Sequence, residues 1–191
     1  MTIDITKCFK INIADSCAIS NILSSLLLYA RIEGSQFIFS ITKYVEYECL
    51  YKERKRPTQK DKELQERLVR QQKDKKFTSY NLSIEDLQDE LIVKYSQHLG
   101  IGELSSIAFA KKINQAFLTD DQGARMIAQK IIGKEKVQTT PHLVGWLFFE
   151  GVLYDSDLGR IIKEHNSFNR PLEKYFRIVY EEALRIKCSS S

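Results

Sequence analysis

The sequence predicts an α/β protein in which helices cover both faces of a parallel sheet, as three α/β/α layers. Short apolar segments alternate with longer segments of helical periodicity, and the connections between them are short, which is typical of a parallel sheet. The chain has 191 residues, of which 43% are hydrophobic and 28% charged, as in an ordinary folded domain. We therefore expect one domain over residues 1–191 with about four or five strands.

The first half of the chain predicts two core strands and three helices. In order, these are a strand at FKINIADS (9–16), a helix at SNILSSLLLYARIEG (20–34), a strand at QFIFSIT (36–42), a helix at KYVEYECLYKERKR (43–56) and a basic helix at QKDKELQERLVRQQKDKK (59–76). Gly34 stands where a helix commonly ends, and Pro57 precedes the basic helix.

The second half predicts a short edge strand, two further strands and several helices. We assign an edge strand to TSYNLS (78–83), helices to 83–100 and GELSSIAFAKKIN (102–114), a strand to QAFLTDD (115–121), a helix to QGARMIAQKIIG (122–133), a strand to VQTTP (137–141), and helices to HLVGWLFFEGVL (142–153) and 172–186. Ser83 is a suitable N-cap for its helix.

Positive charge is concentrated in residues 52–76, which hold eleven Lys or Arg against five Asp or Glu. The local net charge is +6, so the rest of the chain is close to −2. The apolar residues of the basic helix are only Leu64, Leu68 and Val69, a stripe too narrow for a typical core helix. We interpret residues 52–76 as an exposed basic helical insertion within the domain.

Several classes of protein are excluded or disfavoured by simple patterns. The four cysteines are far apart and form no CxxC pair, and the three histidines lack ligand spacing, which disfavours a zinc site. The N-terminus does not resemble a signal peptide, and no stretch approaches the roughly 20 apolar residues that span a bilayer. We expect a cytoplasmic protein that does not act at a membrane.

Acidic residues follow two predicted strands at the point where each strand ends. Asp15 ends the first strand, and Asp120 and Asp121 end the third core strand. In open α/β sheets ligands bind at the carboxyl ends of the strands, so these acids are candidates for one binding site. Asp is also a preferred N-cap residue at the start of a helix, and both interpretations stay open.

Two glutamates add to this set. Glu48 lies on a helix among apolar neighbours, and Glu103 opens the helix GELSSIAFA with Ile107 one turn later on the same side. A glutamate on a core-facing stripe is costly to bury unless a positive group pairs with it. For Glu103 a favourable interaction with the helix dipole is an alternative explanation.

Four motifs in this order resemble the PIN-domain family. They are the D-S pair at 15–16, the YExL helix around Glu48, G-I-G-E-L-S-S-I-A-F-A at 100–110, and L-T-D-D-x-x-A-R at 118–125. The third motif is most similar to the branch of metal-dependent ribonucleases that reads GEGE at this point. The similarity extends from about Phe9 to Ala128, and TTPHLVGWLF looks like the helix that follows in that branch.

The resemblance implies a PIN-like fold and a Mg²⁺- or Mn²⁺-dependent endoribonuclease, often the toxin of a toxin–antitoxin or defence pair that a partner protein inhibits. Its catalytic, metal-binding acids would be Asp15, Glu48, Glu103 and Asp121, with Asp120 as a substitute ligand. Supporting positions match at Ser16, Thr119 and Arg125. By analogy only, we expect a homodimer.

The chain departs from the family pattern at two places, which leaves other functions open. Ile101 replaces the first acid of GEGE, so the alternative is a catalytically inactive PIN-like module that binds RNA or protein. The basic insertion is longer than a minimal PIN domain needs. A receiver-type signalling domain would need an acid pair where Asp15 stands alone.

An acidic pocket repels RNA, so positive charge elsewhere must attract the substrate. Arg54, Lys55 and Arg56 are the candidate RNA contacts, because Lys and Arg supply affinity for phosphates that does not depend on sequence. A solvated helix face, or a segment that captures an antitoxin, would also account for this charge.

Overall fold

A computed structural model describes residues 4–53 and 56–189. Its strands are β1 (Ile11–Ala14), β2 (Ile38–Thr42), β3 (Thr78–Tyr80), β4 (Ala116–Leu118) and β5 (Val137–Gln138). Within the described residues they form one sheet of order β3-β2-β1-β4-β5, and every neighbouring pair is parallel. The α/β prediction with four or five strands is therefore confirmed, including an edge strand at residues 78–80.

Helices lie between and after the strands. Their bounds are α1 (Ser16–Ser24), α2 (Leu26–Gly34), α3 (Lys43–Leu50), α4 (Gln59–Lys73), α5 (Ile84–Leu87), α6 (Glu90–Tyr95), α7 (Ile101–Lys112), α8 (Gln122–Ile132), α9 (Thr140–Phe149), α10 (Asp155–Ser167) and α11 (Glu173–Ser189).

Local capping explains two differences from the predicted helices. The single helix expected over 20–34 is broken at Ser25, whose extended backbone and side chain cap α2 by accepting from the Leu28 amide. The helix expected over 83–100 is divided in the same way, because Asp89 caps α6. The Ser83 cap is confirmed, since its side chain accepts from the Asp86 amide. One helix, α10, was not predicted.

Each face of the sheet has its own apolar core, as three layers require. Successive strand residues point to opposite faces, so Ile13 and Ala14 of β1 belong to different clusters. Phe117 and Leu118 of β4 divide in the same way. Helices α7 and α8 contribute to the Ile13 side, and α1, α2, α9, α10 and α11 to the Ala14 side.

The basic helix α4 packs on the Ala14 side of the molecule. Leu64 and Leu68 are buried in that core, and Arg67 donates to the Leu23 carbonyl oxygen at 2.6 Å. Thr58 and Asp61 form a capping box at its first turn. Of the predicted RNA contacts, Arg56 is exposed, while Arg54 and Lys55 lie outside the described residues.

The strand order positions a crevice at one edge of the sheet. From β1 the chain builds outward through β2 and β3, and it then crosses back to add β4 and β5 on the other side of β1. The carboxyl ends of β1 and β4 therefore flank the topological switch point, where open α/β sheets bind ligands. None of the described helices is long and apolar enough to cross a membrane.

Candidate functional site

Asp15 follows β1 at the switch point and caps α1. Its Oδ1 accepts from the Ala18 amide at 2.7 Å, and its Oδ2 accepts from the Thr119 hydroxyl at 2.5 Å. The side chain is buried, with the residue only 1% exposed. Burial raises the pKa of this carboxyl to about 7, and the negative charges of Asp120 and Glu103 add to the increase. The capping interpretation of Asp15 is thus correct. Capping does not, however, account for the other acids that lie near Asp15.

Thr119 connects Asp15 to the acids that follow β4. Its buried hydroxyl donates to Asp15 and accepts from the Asp121 amide at 3.1 Å. Asp121 is exposed and caps α8, accepting from the Ala124 amide at 2.7 Å. The Thr119 hydroxyl therefore joins the ends of β1 and β4, although Asp15 and Thr119 are 104 positions apart in the sequence.

Asp120 is held by three hydrogen bonds from two different helices. Its Oδ2 accepts from Asn21 Nδ2 at 2.7 Å and from the Thr140 hydroxyl at 2.5 Å, and its Oδ1 accepts from the Thr140 amide at 2.8 Å. Asn21 and Thr140 are both buried. The sequence interpretation missed these two partners. The signals for them were Asn21 before the apolar pair at residues 22–23 in α1, and the TT pair before Pro141.

Glu48 and Glu103 approach each other around the first turn of α7. Glu103 Oε2 accepts from the Gly100 amide at 3.0 Å, so it does stabilise the helix start. Burial raises the pKa of Glu103, and the negative charges of Asp121 and Glu48 raise it further. A Cβ on Gly102 would lie 2.7 Å from Glu48 Cδ and 2.9 Å from Oε1. The Glu48 carboxylate therefore occupies the space that the missing side chain of Gly102 leaves.

All five predicted acids thus lie at the same edge of the sheet, where they act on one another electrostatically. Their donor atoms are carboxylate oxygens, which are the ligands that Mg²⁺ and Mn²⁺ prefer. Within residues 4–53 and 56–189, however, no three Asp, Glu, His or Cys side chains are close enough together to hold a metal ion.

The predicted supporting residues lie beside these acids. Ser16 is the first residue of α1 and is half-buried; its carbonyl oxygen accepts from the Ser20 hydroxyl at 2.8 Å. Arg125 is half-buried in α8, where its amide donates to the Asp121 carbonyl oxygen at 3.0 Å. The functional roles of these two side chains stay predictions.

A family model described as a PIN domain matches residues 21–133 of the chain. The matched range contains Glu48, Glu103, Asp120 and Asp121, and it begins six residues after Asp15. Neither curated proteins nor solved structures give a match.

Proposed function

Because the chain belongs to the PIN-domain family, a nuclease-type fold, we propose that it is a metal-dependent endoribonuclease that hydrolyses RNA phosphodiester bonds. The main observation behind this proposal is the meeting of acids at the sheet's switch point. The Thr119 hydroxyl donates to the Asp15 carboxylate and accepts from the backbone amide of Asp121. The negative charge of Glu103 raises the pKa of Asp15, and those of Asp121 and Glu48 raise the pKa of Glu103.

The cofactor we propose is Mg²⁺ or Mn²⁺, held by Asp15, Glu48, Glu103 and Asp121, with Asp120 as a further donor. Like-charged carboxylates at one edge repel one another, and a hard divalent cation relieves that repulsion. When bound, such an ion lowers the pKa of water and neutralises charge on the scissile phosphate. No three of these side chains lie close enough together to hold an ion in the described residues, so the proposal requires acids other than the hydrogen-bonded Asp15 to move toward it.

The residues around the acids set their orientation. Thr119 and the Ala18 amide hold both oxygens of Asp15, so that this carboxylate is fixed before any ion arrives. Asn21 and Thr140 hold Asp120 and thereby connect the end of β4 to α1 and α9. Supporting hydrogen bonds of this kind commonly change metal affinity or activity by about 10- to 100-fold when they are removed.

Metal dependence is the first test of this function. We expect the protein to cleave single-stranded RNA with Mn²⁺ or Mg²⁺ and to lose all cleavage in EDTA, because the acids alone repel the phosphate. Calorimetry should detect Mn²⁺ binding at millimolar metal.

The alternative, an inactive PIN-like module, is favoured by Ile101 in place of an acid. Absence of both Mn²⁺ binding and cleavage would favour that module and contradict the nuclease.

The basic segment gives a second prediction, on substrate affinity. Reversing the charges of Arg54, Lys55 and Arg56 to Glu should weaken RNA binding and flatten its salt dependence. The slope of log K against log salt should fall by about 0.7 for each phosphate of the single strand that these residues neutralise.

A matched control for these charges is the reversal of Lys163, Lys174 and Arg177, which are exposed on α10 and α11. It changes the net charge equally and should leave the slope close to wild type. Equal slopes for the two triple variants would mean that residues 54–56 are only a solvated, charged face.

The biological setting rests on the sequence alone. Membership of the GEGE-motif branch, a toxin or defence role, an inhibiting partner protein and a homodimer are predictions that follow from the family resemblance, and a cytoplasmic location is a prediction from the sequence patterns. The single domain over 1–191 with its insertion at 52–76 is likewise a prediction.

A further inference from the structure

Helix α3 exposes three tyrosines along one side. Tyr44, Tyr47 and Tyr51 have exposed fractions of 39%, 55% and 67%. At about 100° per residue, the three positions fall within roughly 60° of one another around the helix. Tyr51 follows the last helical residue and keeps α-region backbone angles. Val45 and Cys49, the buried residues of α3, lie on the opposite side. We call the three rings the tyrosine stripe.

The tyrosine stripe borders the candidate site directly. Glu48 lies one turn after Tyr44 and three residues before Tyr51, so its side chain leaves α3 next to the stripe. The Glu48 carboxylate contacts Gly102 at the start of α7, beside Glu103. A ligand on the stripe would therefore lie next to Glu48, one of the candidate acids.

Within the described residues, the tyrosine stripe takes no part in the aromatic packing that holds other tyrosines. Other tyrosines stack or tilt against phenylalanines, such as Tyr29 on Phe77 and Tyr80 on Phe109. In the part of the chain that the structure describes, none of the three stripe rings makes a ring–ring or cation–ring contact. Three large rings in a row are thus available to an external partner.

We propose that the tyrosine stripe binds single-stranded RNA by stacking against unpaired bases, and so directs a single strand into the acidic site. This inference rests on the proposed nuclease function, for which it assigns the surface that contacts the RNA. Aromatic rings next to positive charge are the usual surface for unpaired nucleic acid. Tyr51 is followed in the sequence by the exposed residues Lys52, Glu53 and Arg56. Their charges sum to +1, and positive charge beside the rings attracts a phosphate backbone rather than an apolar protein surface.

The length of the stripe agrees with this substrate. From Tyr44 to Tyr51 the helix rises about 10 Å, which is enough for more than one stacked base. Bases in a duplex are already paired and stacked inside the helix, so they are not available to the rings. The stripe therefore predicts a preference for single strands over duplexes.

The experiment measures RNA affinity by fluorescence anisotropy in the full-length Asp15→Asn background, so that cleavage does not interfere. Replacing the three tyrosines by Leu should weaken binding to a labelled single strand by roughly five-fold or more per stacked ring. Replacing them by Phe, which keeps the ring, should leave affinity near the starting value. Tyr175→Leu on α11, where the residue is 54% exposed, is the matched control and should have no effect.

Abasic RNA makes the test specific for stacking. On a strand that lacks its bases, the Leu and Phe triple variants should bind equally, because only the phosphates remain. Equal affinity of the Leu and Phe triple variants for intact single strands would overturn the proposal. So would a Leu triple variant that loses as much affinity for abasic RNA as it loses for intact RNA. The Leu triple variant could also keep its affinity for RNA and lose self-association that the Phe variant retains. That result would overturn the proposal and assign the stripe to contact with a second copy of the chain.

The two proposals fail in different ways. If the wild-type protein cleaves nothing with any metal while the Leu variant still loses RNA affinity, the nuclease function is wrong and stacking stands. If cleavage is metal-dependent but the stripe variants bind single strands as before, and cut them as before when made with Asp15 intact, the stacking proposal alone is wrong.

Discussion

Asp15→Asn is expected to abolish metal-dependent RNA cleavage and, at the same time, to stabilise the metal-free protein. Asn keeps the shape of the side chain and can still accept from the Ala18 amide and donate to the Thr119 hydroxyl. It removes the negative charge that the proposed ion requires. Because even indirect supporting groups are worth about 10- to 100-fold, loss of a ligand should reduce cleavage by at least about 100-fold.

The stabilising effect follows from the raised pKa of Asp15. In the folded protein this pKa is about 7, compared with the ordinary value of 3.8, because burial disfavours the charged form. The contribution of the protonated group to stability is complete below pH 3.8 and is lost as the pH rises through about 7. Asn avoids this loss, so the free energy of unfolding at pH 8 should rise by at most about 4 kcal/mol, and the gain should disappear toward pH 4.

Denaturant unfolding in EDTA between pH 4 and 8 measures this difference, and added Mn²⁺ should then stabilise only the wild-type protein. Asp157→Asn is a matched control, since Asp157 is also a buried aspartate but pairs with Arg31 at 3.2 Å. That variant should be less stable and should cleave normally. Cleavage by Asp15→Asn at the wild-type rate would contradict the metal role of Asp15.

Gly102→Ala is expected to impair the site without harming the fold. The new Cβ would lie 2.7 Å from Glu48 Cδ, so the carboxylate must move. Because this group is the end of a flexible side chain, it can turn away at little cost. Ala is favoured over Gly in a helix by at most about 1 kcal/mol, the value for a helix interior, and Gly102 is the second residue of α7. We therefore expect unchanged or higher stability, together with a loss of Mn²⁺ affinity and cleavage of about 10- to 100-fold.

A double-mutant cycle tests whether Gly102 acts through Glu48. In a Glu48→Ala background, Gly102→Ala should cause no further loss, because the group it displaces is already gone. Gly159→Ala on α10 is the control, since a Cβ there meets nothing within 4 Å; it should add helix stability and leave cleavage intact. Additive losses from Gly102→Ala and Glu48→Ala would show that the glycine serves another purpose.

Local sequence patterns were sufficient for most elements but not for their junctions. The Ser83 cap, the edge strand at residues 78–80 and the helix of GELSSIAFA follow from local signals and are confirmed. The break at Ser25 was missed because its neighbours continue the helical pattern. The signal for α10 was present, since Leu158, Ile161 and Ile162 have helical spacing and are buried.

The sequence by itself determined which residues are candidates: periodicity gives strands and helices, and acids stand where the strands end. Only the tertiary structure decided which candidates meet. The hydroxyl of Thr119 between Asp15 and Asp121, the support of Asp120 by Asn21 and Thr140, and the space beside Gly102 that Glu48 fills all join distant segments. Periodicity reports only the environment of each segment, whereas these contacts depend on the order in which the strands pair, and that order is a property of the whole chain.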